Sequence, residues 1–566
     1  MMSVATATRS RLGKLLLILG AAMSAASAHK NVLFIAIDDL RPNIAAYGAS
    51  FMVTPHLDAL AASATLFQRA YVQYSFCGPS RNSFLTGRRP DATRAFSFMN
   101  HFREPGVGAD WVSLPEHFRK HGYLTLAAGK LFHPGLPPNF DAAQLDNDGV
   151  PQVKSWTRFV FPQPAGTGQR ASDPCLNATT NGWPLLQPQV SNAICTPTAG
   201  DCAPEAVVAG EVAGEKYLWC AVDTTKLSLP LQDDAIVNAT VHHLREAATQ
   251  QPFFVGSGLH KPHLPFMFPK EFAELYPPAA QIAPPKQREP PAGMPLAAWH
   301  PGGFHSTWDD PTPPANASVY RRAYYSSVSY TDHNIGLILA ELDALRLAPT
   351  TMVVAIGDHG WQLGEMNLWR KMTNFELGTR VPLMIRVPWK AQAPRKSPQI
   401  VEAVWLYRTL SELAALPTPE ASVDGESFAS VFDGAPAAAA VEAGGAAVAR
   451  TFYAFSQFAK ANKSDGAFPF PVPWDECTKC NHTDIDVMGL AVRDDRWRYV
   501  EWHAWNKTAL RPEWGAPLLG VELYDHDGDL GEDLDAAAAA VNLAVGGRHA
   551  ATVRKLSAVL QGQFRT

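Results

Sequence analysis

Two pairs of polar residues follow apolar runs that lie far apart in the chain. Asp38 and Asp39 end the stretch NVLFIAIDD, and Asp358 and His359 end the stretch TTMVVAIGDH. Each run is nearly continuously apolar, which is typical of a strand buried in a parallel sheet. Three carboxylates brought together would repel one another unless a cation compensated, and hard oxygen ligands suit Ca²⁺ or Mg²⁺. The pairing of two such strand ends favours a metal site over ordinary strand-end turns.

The stretch FCGPSRNSFLTGRRP contains an isolated cysteine. Pro79 is well placed to start a helix through Phe84, so Cys77 would lie at a helix N-terminus, where backbone N–H groups favour anions. Three arginines add positive charge to the same stretch: Arg81, Arg88 and Arg89. The alternative is a packing cysteine followed by a solvated basic turn.

Lysines and histidines recur in three further stretches, AAGKLFHPG, GLHKPHLPF and the segment after Asp358. The candidates are Lys130, His133, His260, Lys261, His263 and Lys371. Taken singly, each lysine is expected to be solvated and each histidine to pack or lie at the surface. Taken together they indicate a cluster of cations around an anionic group beside a divalent metal, as a site for a sulfate or phosphate ester requires.

These residues can meet only if the strands before them share one sheet, because ligands of open α/β sheets gather at the carboxyl ends of the strands. YLTLAAG and PFFVGSGL are typical of further strands, and PHLDALAASATLFQRA and SVSYTDHNIGLILAELDAL of helices. The alternation predicts an α/β fold with a mostly parallel sheet. RTFYAFSQF, MGLAVRDDRWRYVEW, VELYDHDG and a closing helix predict a smaller C-terminal α+β subdomain.

We predict a catalytic domain over residues 29–432, an Ala/Gly-rich linker over 433–450 and the C-terminal subdomain over 451–566. Residues from about 140 to 230 are rich in Pro, Asn and Cys and are expected to form a disulfide-stapled insertion. The proline-rich segment from about 264 to 318 is expected to be a long surface loop.

The N-terminus predicts entry into the secretory pathway. Residues 1–28 combine early basic residues, a short apolar run from Leu15 to Leu19 and the small triplet Ala26-Ser27-Ala28, which favours a cleaved signal peptide over a membrane anchor. Six N-x-S/T sequons agree with that route: Asn177, Asn238, Asn316, Asn462, Asn481 and Asn506. The net charge of −5 is modest and mixed and does not suggest a nucleic-acid partner, and no stable membrane insertion is expected.

The chain has seven cysteines, an odd number for a secreted protein. Four cluster between positions 175 and 220, and two form the CTKC stretch, for which we favour a local disulfide over a redox or metal site. Cys77 is left without an obvious partner.

CGPSR followed by LTGR resembles the signature of the type I sulfatases. The early DD, the GK followed by His, KPH, and the late DHG with a following Lys match the family in the same order, and ELYD resembles its C-terminal subdomain. The resemblance covers nearly the whole mature chain and implies an alkaline-phosphatase-like sandwich. The spacing of Lys130 and His133 and the presence of His359 are similar to the iduronate-2-sulfatases within the family, whereas Met366 stands where a histidine is common.

The resemblance also implies a set of roles. A formylglycine-generating enzyme would oxidise Cys77 to Cα-formylglycine, whose hydrate attacks the ester sulfur and then expels sulfate. Calcium, with Mg²⁺ as an alternative, would be held by Asp38, Asp39, Cys77, Asp358 and His359. Arg81 would hold the hydrate, Lys130 and Lys371 would bind sulfate, and His133 would act as base. His263 would bind sulfate and serve as leaving-group acid, with His260 nearby.

The function implied is removal of sulfate from a sulfated carbohydrate, specifically a 2-O-sulfated iduronate or uronate of a glycosaminoglycan-like polysaccharide, in the lysosome or outside the cell. Two alternatives remain open at this stage. One is a phosphonate or phosphate ester hydrolase on the same scaffold, and the other is a secreted binding protein without turnover.

Overall fold

The computed structural model describes residues 30–133, 154–160, 163–164, 189–190, 219–226, 230–300, 304, 306–390, 393–434, 441–443, 446–448, 452–462, 474–529, 534 and 541–565. The predicted signal peptide, most of the predicted insertion and much of the predicted linker lie outside these residues. The proposed domain boundaries therefore stay a prediction.

A central sheet of eight strands carries the fold. Its strands are β1 (Asn31–Ile37), β2 (Thr65–Tyr71), β3 (Leu124–Gly129), β4 (Arg158–Val160), β5 (Phe253–Leu259), β6 (Thr351–Gly357), β7 (Arg380–Arg386) and β8 (Lys396–Glu402). Their order is β8-β2-β7-β6-β1-β5-β3-β4, and neighbours run parallel except where β7 pairs with β2 and β6. The predicted mostly parallel sheet is confirmed, with β1 at its centre.

Helices cover both faces of this sheet, and the last one in the chain packs instead on the C-terminal sheet described below. They are α1 (Pro55–Ser63), α2 (Cys77–Thr86), α3 (Pro90–Thr93), α4 (Leu114–Lys120), α5 (Gln232–Ala247), α6 (Pro314–Ala344), α7 (Glu376–Thr379), α8 (Leu406–Leu413) and α9 (Ala550–Phe564). Strand β1 sends alternate side chains into two separate cores, Leu33 and Ile35 into one and Val32 and Phe34 into the other. A strand buried on both faces must be apolar at every position, which explains the unbroken run in the sequence.

A second, antiparallel sheet follows in the C-terminal part. Its strands are β9 (Ala454–Asn462), β10 (Trp474–Asp475), β11 (Ile485–Arg493), β12 (Trp497–Asn506), β13 (Arg511–Pro512) and β14 (Gly520–Asp525). The order is β10-β9-β11-β12-β13, with β14 also paired to β12. This sheet packs against Phe76 and Met372, which are the chain neighbours of Cys77 and Lys371. The C-terminal sheet thus supports two loops that carry site residues.

Smaller elements complete the described fold. Short strand pairs join Gln163–Pro164 with Gln189–Val190, Trp219–Val222 with Phe266–Pro269, Gln362–Leu363 with Trp369–Arg370, and Val441–Ala443 with Ala446–Val448. The 3₁₀ helices are Ala45–Tyr47, Thr224–Lys226, Lys270–Phe272, Ala279–Gln281, Leu296–Ala298, Ala348–Thr350, Glu365–Asn367, Ala403–Trp405, Ala429–Asp433 and His482–Asp484. No helix among the described residues is long and apolar enough to cross a membrane.

Two sequence-based expectations about secondary structure are wrong in part. The second half of PHLDALAASATLFQRA is strand β2, because pairing with β7 and β8 outweighs the helical pattern of the residues before it. The segment 264–318 does not simply lie on the surface. Trp299 and His300 are fully buried, and Trp299 shares an apolar cluster with Leu368 and Trp502, so the segment contributes core between the two sheets.

The predicted local disulfide in CTKC is present, since Cys477 is bonded to Cys480 with their Cα atoms 5.0 Å apart. Cys175, Cys195 and Cys202 lie outside the described residues. Among the cysteines whose side chains are described, Cys77 is the free one, and it is buried.

Candidate active site

The two acidic strand ends meet, as the sequence predicts. Strands β1 and β6 are parallel neighbours with Ile37 opposite Gly357, so Asp38 and Asp358 leave the sheet side by side. The backbone N–H of Asp39 donates to Asp358 Oδ1 at 3.0 Å. All three carboxylates and His359 are fully buried.

Cys77 is the first residue of α2, and its side chain points into this cluster. Its Sγ atom lies 3.3 Å from Asp38 Oδ1, 3.2 Å from His359 Nε2 and 3.4 Å from Lys371 Nζ. The predicted helix N-terminus is therefore present, and it faces the acidic strand ends from the opposite side.

Three cations enclose the carboxylates. Arg81 Nε donates to Asp358 Oδ2 at 2.8 Å, and Lys371 Nζ donates to Asp39 Oδ1 at 2.5 Å. Lys130 forms an ion pair with Asp38. Each of these cations is at least 95% buried, so its charge is little screened by solvent.

The histidines lie around this centre. His263 Nε2 is 4.0 Å from Asp39 Oδ2, and with 21% of its side chain exposed His263 lies at the solvent-facing edge. The His260 ring contacts it edge to face, with ring centroids 4.9 Å apart. His133 stacks on Phe98 at 4.1 Å beside the first turn of α2. The structure thus brings Cys77 and Arg81, the acidic strand ends, Lys130, Lys371 and the three predicted histidines into one region.

The buried carboxylates fit a cation. Burial, together with Asp38 and Asp358, raises the pKa of Asp39 to about 8 even though Lys371 opposes the shift. Burial and Asp38 raise the pKa of Asp358 to about 6. Burial also acts against ionisation of Asp38, but Lys130, His263 and Arg81 hold its pKa well below the usual range. Asp39 Oδ2 is buried and has no hydrogen-bond partner, so an acceptor is available for a metal ion.

The His359 ring is oriented with one nitrogen toward the carboxylates. Its Nδ1–H donates to the Gly360 carbonyl at 3.0 Å, which leaves the Nε2 lone pair directed at the carboxylates, 3.4 Å from Asp39 Oδ1 and 3.4 Å from Asp358 Oδ1. Burial and Lys371 hold the pKa of this histidine well below its usual range. Ligand atoms of Asp38, Cys77, Asp358 and His359 all lie within 4.8 Å of one another, close enough to share one ion.

The environment of Cys77 argues against a thiolate nucleophile. Burial and the charge of Asp38 raise the pKa of the thiol far above its ordinary value, although Lys130 and Lys371 act in the opposite direction. Reactive cysteines need the contrary shift. The alternative of a solvated basic turn is also wrong, because Arg81 is fully buried.

The other two arginines of the motif do not belong to the centre. Arg88 pairs with Glu420 at 2.8 Å, and Arg89 pairs with Glu402. Their charges are therefore neutralised within the fold, and Arg81 alone serves the site. The sequence could not show this, because both partners lie more than 300 residues away along the chain.

Tyr324 is a site residue that the sequence did not reveal. Its hydroxyl donates to the Asp39 carbonyl at 2.8 Å and accepts from the Arg41 N–H at 3.0 Å. Asp39 has a φ of 60°, a left-handed conformation that is uncommon outside glycine, and these two bonds hold the turn in that conformation. Tyr324 lies within the long helix α6 and carries no local motif that could have indicated the contact.

A buried cluster of carboxylates and a histidine lies at the carboxyl ends of a mostly parallel sheet, enclosed by Lys and Arg, within an alkaline-phosphatase-like fold. Residues 30–416 match the model of the Sulfatase family. The chain is 30% identical to "Iduronate 2-sulfatase" from Homo sapiens in an alignment that covers 88% of this chain and 89% of the relative. The protein belongs to the Sulfatase family, and its enzyme class is sulfuric ester hydrolase.

Solved structures share the fold at lower sequence identity. A phosphonate monoester hydrolase from Silicibacter pomeroyi has a TM-score of 0.65 at 22% identity and covers 95% of both chains. A structure described as a 2-O GAG sulfatase has a TM-score of 0.61 at 16% identity, covering 94% of this chain and 92% of its own. The predicted fold class is confirmed by these neighbours.

Proposed function

We propose that this protein removes sulfate from a 2-O-sulfated iduronate or related uronate of a glycosaminoglycan, using a formylglycine made from Cys77 and a divalent cation, with Ca²⁺ favoured over Mg²⁺. The observation that carries the proposal is the position of Cys77 Sγ, within 3.4 Å of Asp38, His359 and Lys371. A buried, protonated thiol has no use as a nucleophile there, whereas an oxidised residue 77 would place its oxygens between the metal ligands and the lysines.

The metal ligands would be Asp38, Asp39, Asp358, His359 and the modified residue 77, and a bound divalent cation would favour the ionised form of the hydrate hydroxyl. The hydrate would supply one hydroxyl that attacks sulfur as the alcohol leaves, and a second whose collapse to the aldehyde expels sulfate.

The chain's own cations bind and orient the ester. Near the Cys77 position, Lys371 is paired with Asp39 and Lys130 is paired with Asp38. Once a metal cation neutralises these two carboxylates, both ammonium groups would contact sulfate oxygens. Arg81 stays on Asp358 and would stabilise the charge that develops on the hydrate. Because these groups are held before substrate arrives, little reorganisation is required during reaction.

Two histidines would move protons. Burial and Lys130 hold the pKa of His133 well below its usual range, which suits a base that accepts a proton during elimination of sulfate. Burial and Lys371 likewise lower the pKa of His263, and the negative charge of a bound sulfate would raise it in the direction that a leaving-group acid needs. Its half-exposed position at the edge of the site is where the departing sugar oxygen would lie.

The substrate class rests on the relatives. Human iduronate 2-sulfatase matches over nearly the full chain, and a 2-O GAG sulfatase shares the fold. Met366, which replaces a histidine common in the family, is fully buried among Trp299 and Leu368, so its side chain does not extend into the open site. Sugar recognition would then depend on other residues of the loops around His263 and Lys371.

We further propose a secretory route, ending in the lysosome or outside the cell, with oxidation of Cys77 by a formylglycine-generating enzyme during synthesis. Five of the six sequon asparagines lie in described segments, and all five are exposed or half-buried: Asn238, Asn316, Asn462, Asn481 and Asn506. They are therefore accessible for glycosylation.

The test is desulfation of heparan or dermatan disaccharides by protein made in a eukaryotic secretory host. Release of sulfate from a 2-O-sulfated iduronate unit is expected, and a C77A variant made in the same host should release none. A wild-type preparation that desulfates aryl sulfates but no uronate disaccharide would contradict the substrate and leave the chemistry standing.

The second candidate, hydrolysis of a phosphonate or phosphate ester, is favoured by the fold match to a phosphonate monoester hydrolase. Comparing turnover of 4-nitrophenyl sulfate with that of 4-nitrophenyl phosphate and a phenylphosphonate monoester separates the two. A clear preference for either phosphorus ester would favour this candidate over the first.

A further inference from the structure

The loop that follows β5 presents His260 and His263 to the active site without regular secondary structure. Pro262 and Pro265 interrupt it, so the loop cannot be held by a ladder of backbone N–H groups. Its remaining buried N–H and C=O groups need partners from elsewhere. Two charged side chains that have no part in the reaction provide them.

Asp233 supplies the acceptors. Its Oδ1 accepts the N–H of His260 at 2.9 Å and its Oδ2 accepts the N–H of Lys261 at 2.8 Å. Asp233 lies in the first turn of α5 and is 1% exposed. Because both carboxylate oxygens are used on consecutive N–H groups, an amide in this place would satisfy one donor and direct its own N–H₂ group at the other.

Lys261 supplies the donors. Its ammonium donates to the carbonyls of His263 at 2.7 Å and Pro265 at 2.8 Å, and the side chain is 2% exposed. The sequence suggested that this lysine belongs to the cations that face the anion. Its ammonium instead closes its own loop from within.

These contacts determine where the His263 ring lies. The His263 N–H donates to the His260 carbonyl at 3.0 Å, and Nδ1–H donates to the Leu264 carbonyl at 2.6 Å. That bond requires the proton on Nδ1 and leaves Nε2 facing the site, 4.0 Å from Asp39 Oδ2. Lys261 holds the carbonyls of His263 and Pro265, the two residues that flank Leu264, whose own carbonyl fixes the ring.

We propose that Asp233 and Lys261 are positioning residues that hold His263 Nε2 at the place where the leaving alcohol needs its proton. This inference rests on the proposed function, because it takes His263 as the leaving-group acid. It adds the two residues that direct the acid, one from helix α5 and one from the loop itself.

The chemistry provides a readout that loss of structure would not imitate. A nitrophenolate leaves readily without a proton, whereas a sugar alkoxide depends on general acid catalysis, which contributes about 10²–10⁴-fold when the acid is well placed. Displacing His263 should therefore slow desulfation of a sugar far more than that of a nitrophenyl ester. A smaller folded fraction would lower both rates by one factor and leave their ratio unchanged.

The experiment measures kcat/KM for a 2-O-sulfated uronate disaccharide and for 4-nitrophenyl sulfate. The variants are Asp233→Asn, Lys261→Met and, as the benchmark, His263→Ala. Asp234→Asn is the matched control, because Asp234 is the adjacent acid of the same helical turn and accepts the Tyr330 hydroxyl at 2.6 Å instead of the loop. The sugar-to-aryl ratio is expected to fall about tenfold or more in the three site variants and to stay near wild type in the control.

Lys261→Arg keeps hydrogen-bond donors in place, so its sugar-to-aryl ratio should lie between those of Lys261→Met and wild type. If Asp233→Asn does not fold, the comparison of these two Lys261 variants tests the inference. Equal losses on both substrates in Asp233→Asn and Lys261→Met, with a changed ratio in His263→Ala, would overturn the inference alone. A wild-type protein that hydrolyses neither sulfate ester would overturn the proposed function and this inference with it.

Discussion

Replacing Lys371 with methionine tests the assignment of the anion-binding cations most directly. The Lys371 ammonium lies 3.4 Å from Cys77 Sγ, the atom that marks where the reacting group would be, and its side chain is almost fully buried. Two unit charges at that distance interact by about 5 kcal/mol at an effective dielectric of about 20. Part of this attraction does not accelerate the reaction, because Lys371 attracts the negatively charged substrate as well as the negatively charged transition state. Removal of one preorganised donor typically lowers kcat by about 10²–10³-fold.

We therefore expect Lys371→Met to lower kcat/KM for 4-nitrophenyl sulfate by about 10²–10³-fold. The matched control is Lys390→Met, which removes a partly exposed lysine paired with the exposed Asp433, outside the site. Exposed pairs contribute about 0–1 kcal/mol, so the control should keep its activity and nearly its melting temperature. Activity of Lys371→Met within about threefold of wild type, at full formylglycine content, would refute the reasoning about Lys371.

Three further predictions concern the metal, the turn at Asp39 and a buried acid in the C-terminal sheet. Chelation should abolish activity and lower the melting temperature, and Ca²⁺ at about 100 times its dissociation constant should restore about 2.7 kcal/mol of stability; an unchanged activity after chelation would contradict the metal site. The stability of Tyr324→Phe should be about 1–3 kcal/mol lower than that of wild type, because the Asp39 carbonyl and the Arg41 N–H lose their buried partner. Calcium titration followed by thermal melting should also show weaker calcium binding than in wild type. A calcium affinity equal to that of wild type would show that the turn at Asp39 keeps its conformation without the hydroxyl. Burial raises the pKa of Glu522 to about 7. The protonated acid stabilises the folded state fully below the unfolded pKa of 4.5, and this stabilisation is lost as pH rises through 7. The stability of Glu522→Gln relative to wild type should therefore increase between pH 5 and pH 8, by up to roughly 3 kcal/mol, and a stability difference that is the same at both pH values would contradict the pKa shift.

Much of the centre of this protein could be predicted from sequence because the relevant signals are local. The run from Asn31 to Ile37 is apolar at every position since β1 is buried on both faces, and Asp38 follows at the strand end where ligands gather. The helix start at Cys77 follows from the GP pair behind it. Each of these features depends on a few consecutive residues.

The parts that the sequence missed depend on partners distant in the chain. Local periodicity predicts helix where strand β2 lies, because the pairing of β2 with β7, more than 300 residues later, leaves no local signal. The sequence places Arg89 among the cations of the anion site, because only the fold brings Glu402 beside it. Tyr324 and Asp233 support the site through single hydrogen bonds to backbone groups, a kind of contact that no residue spacing records.

The central claim, that Cys77 is a precursor and that its aldehyde does the work, is tested most directly by the mass of the tryptic peptide spanning residues 70–81 from active protein. The formylglycine form of this peptide, which is lighter than the thiol form, is expected in a fraction that tracks specific activity between preparations. Fully active protein in which residue 77 is entirely an unmodified cysteine would contradict the account.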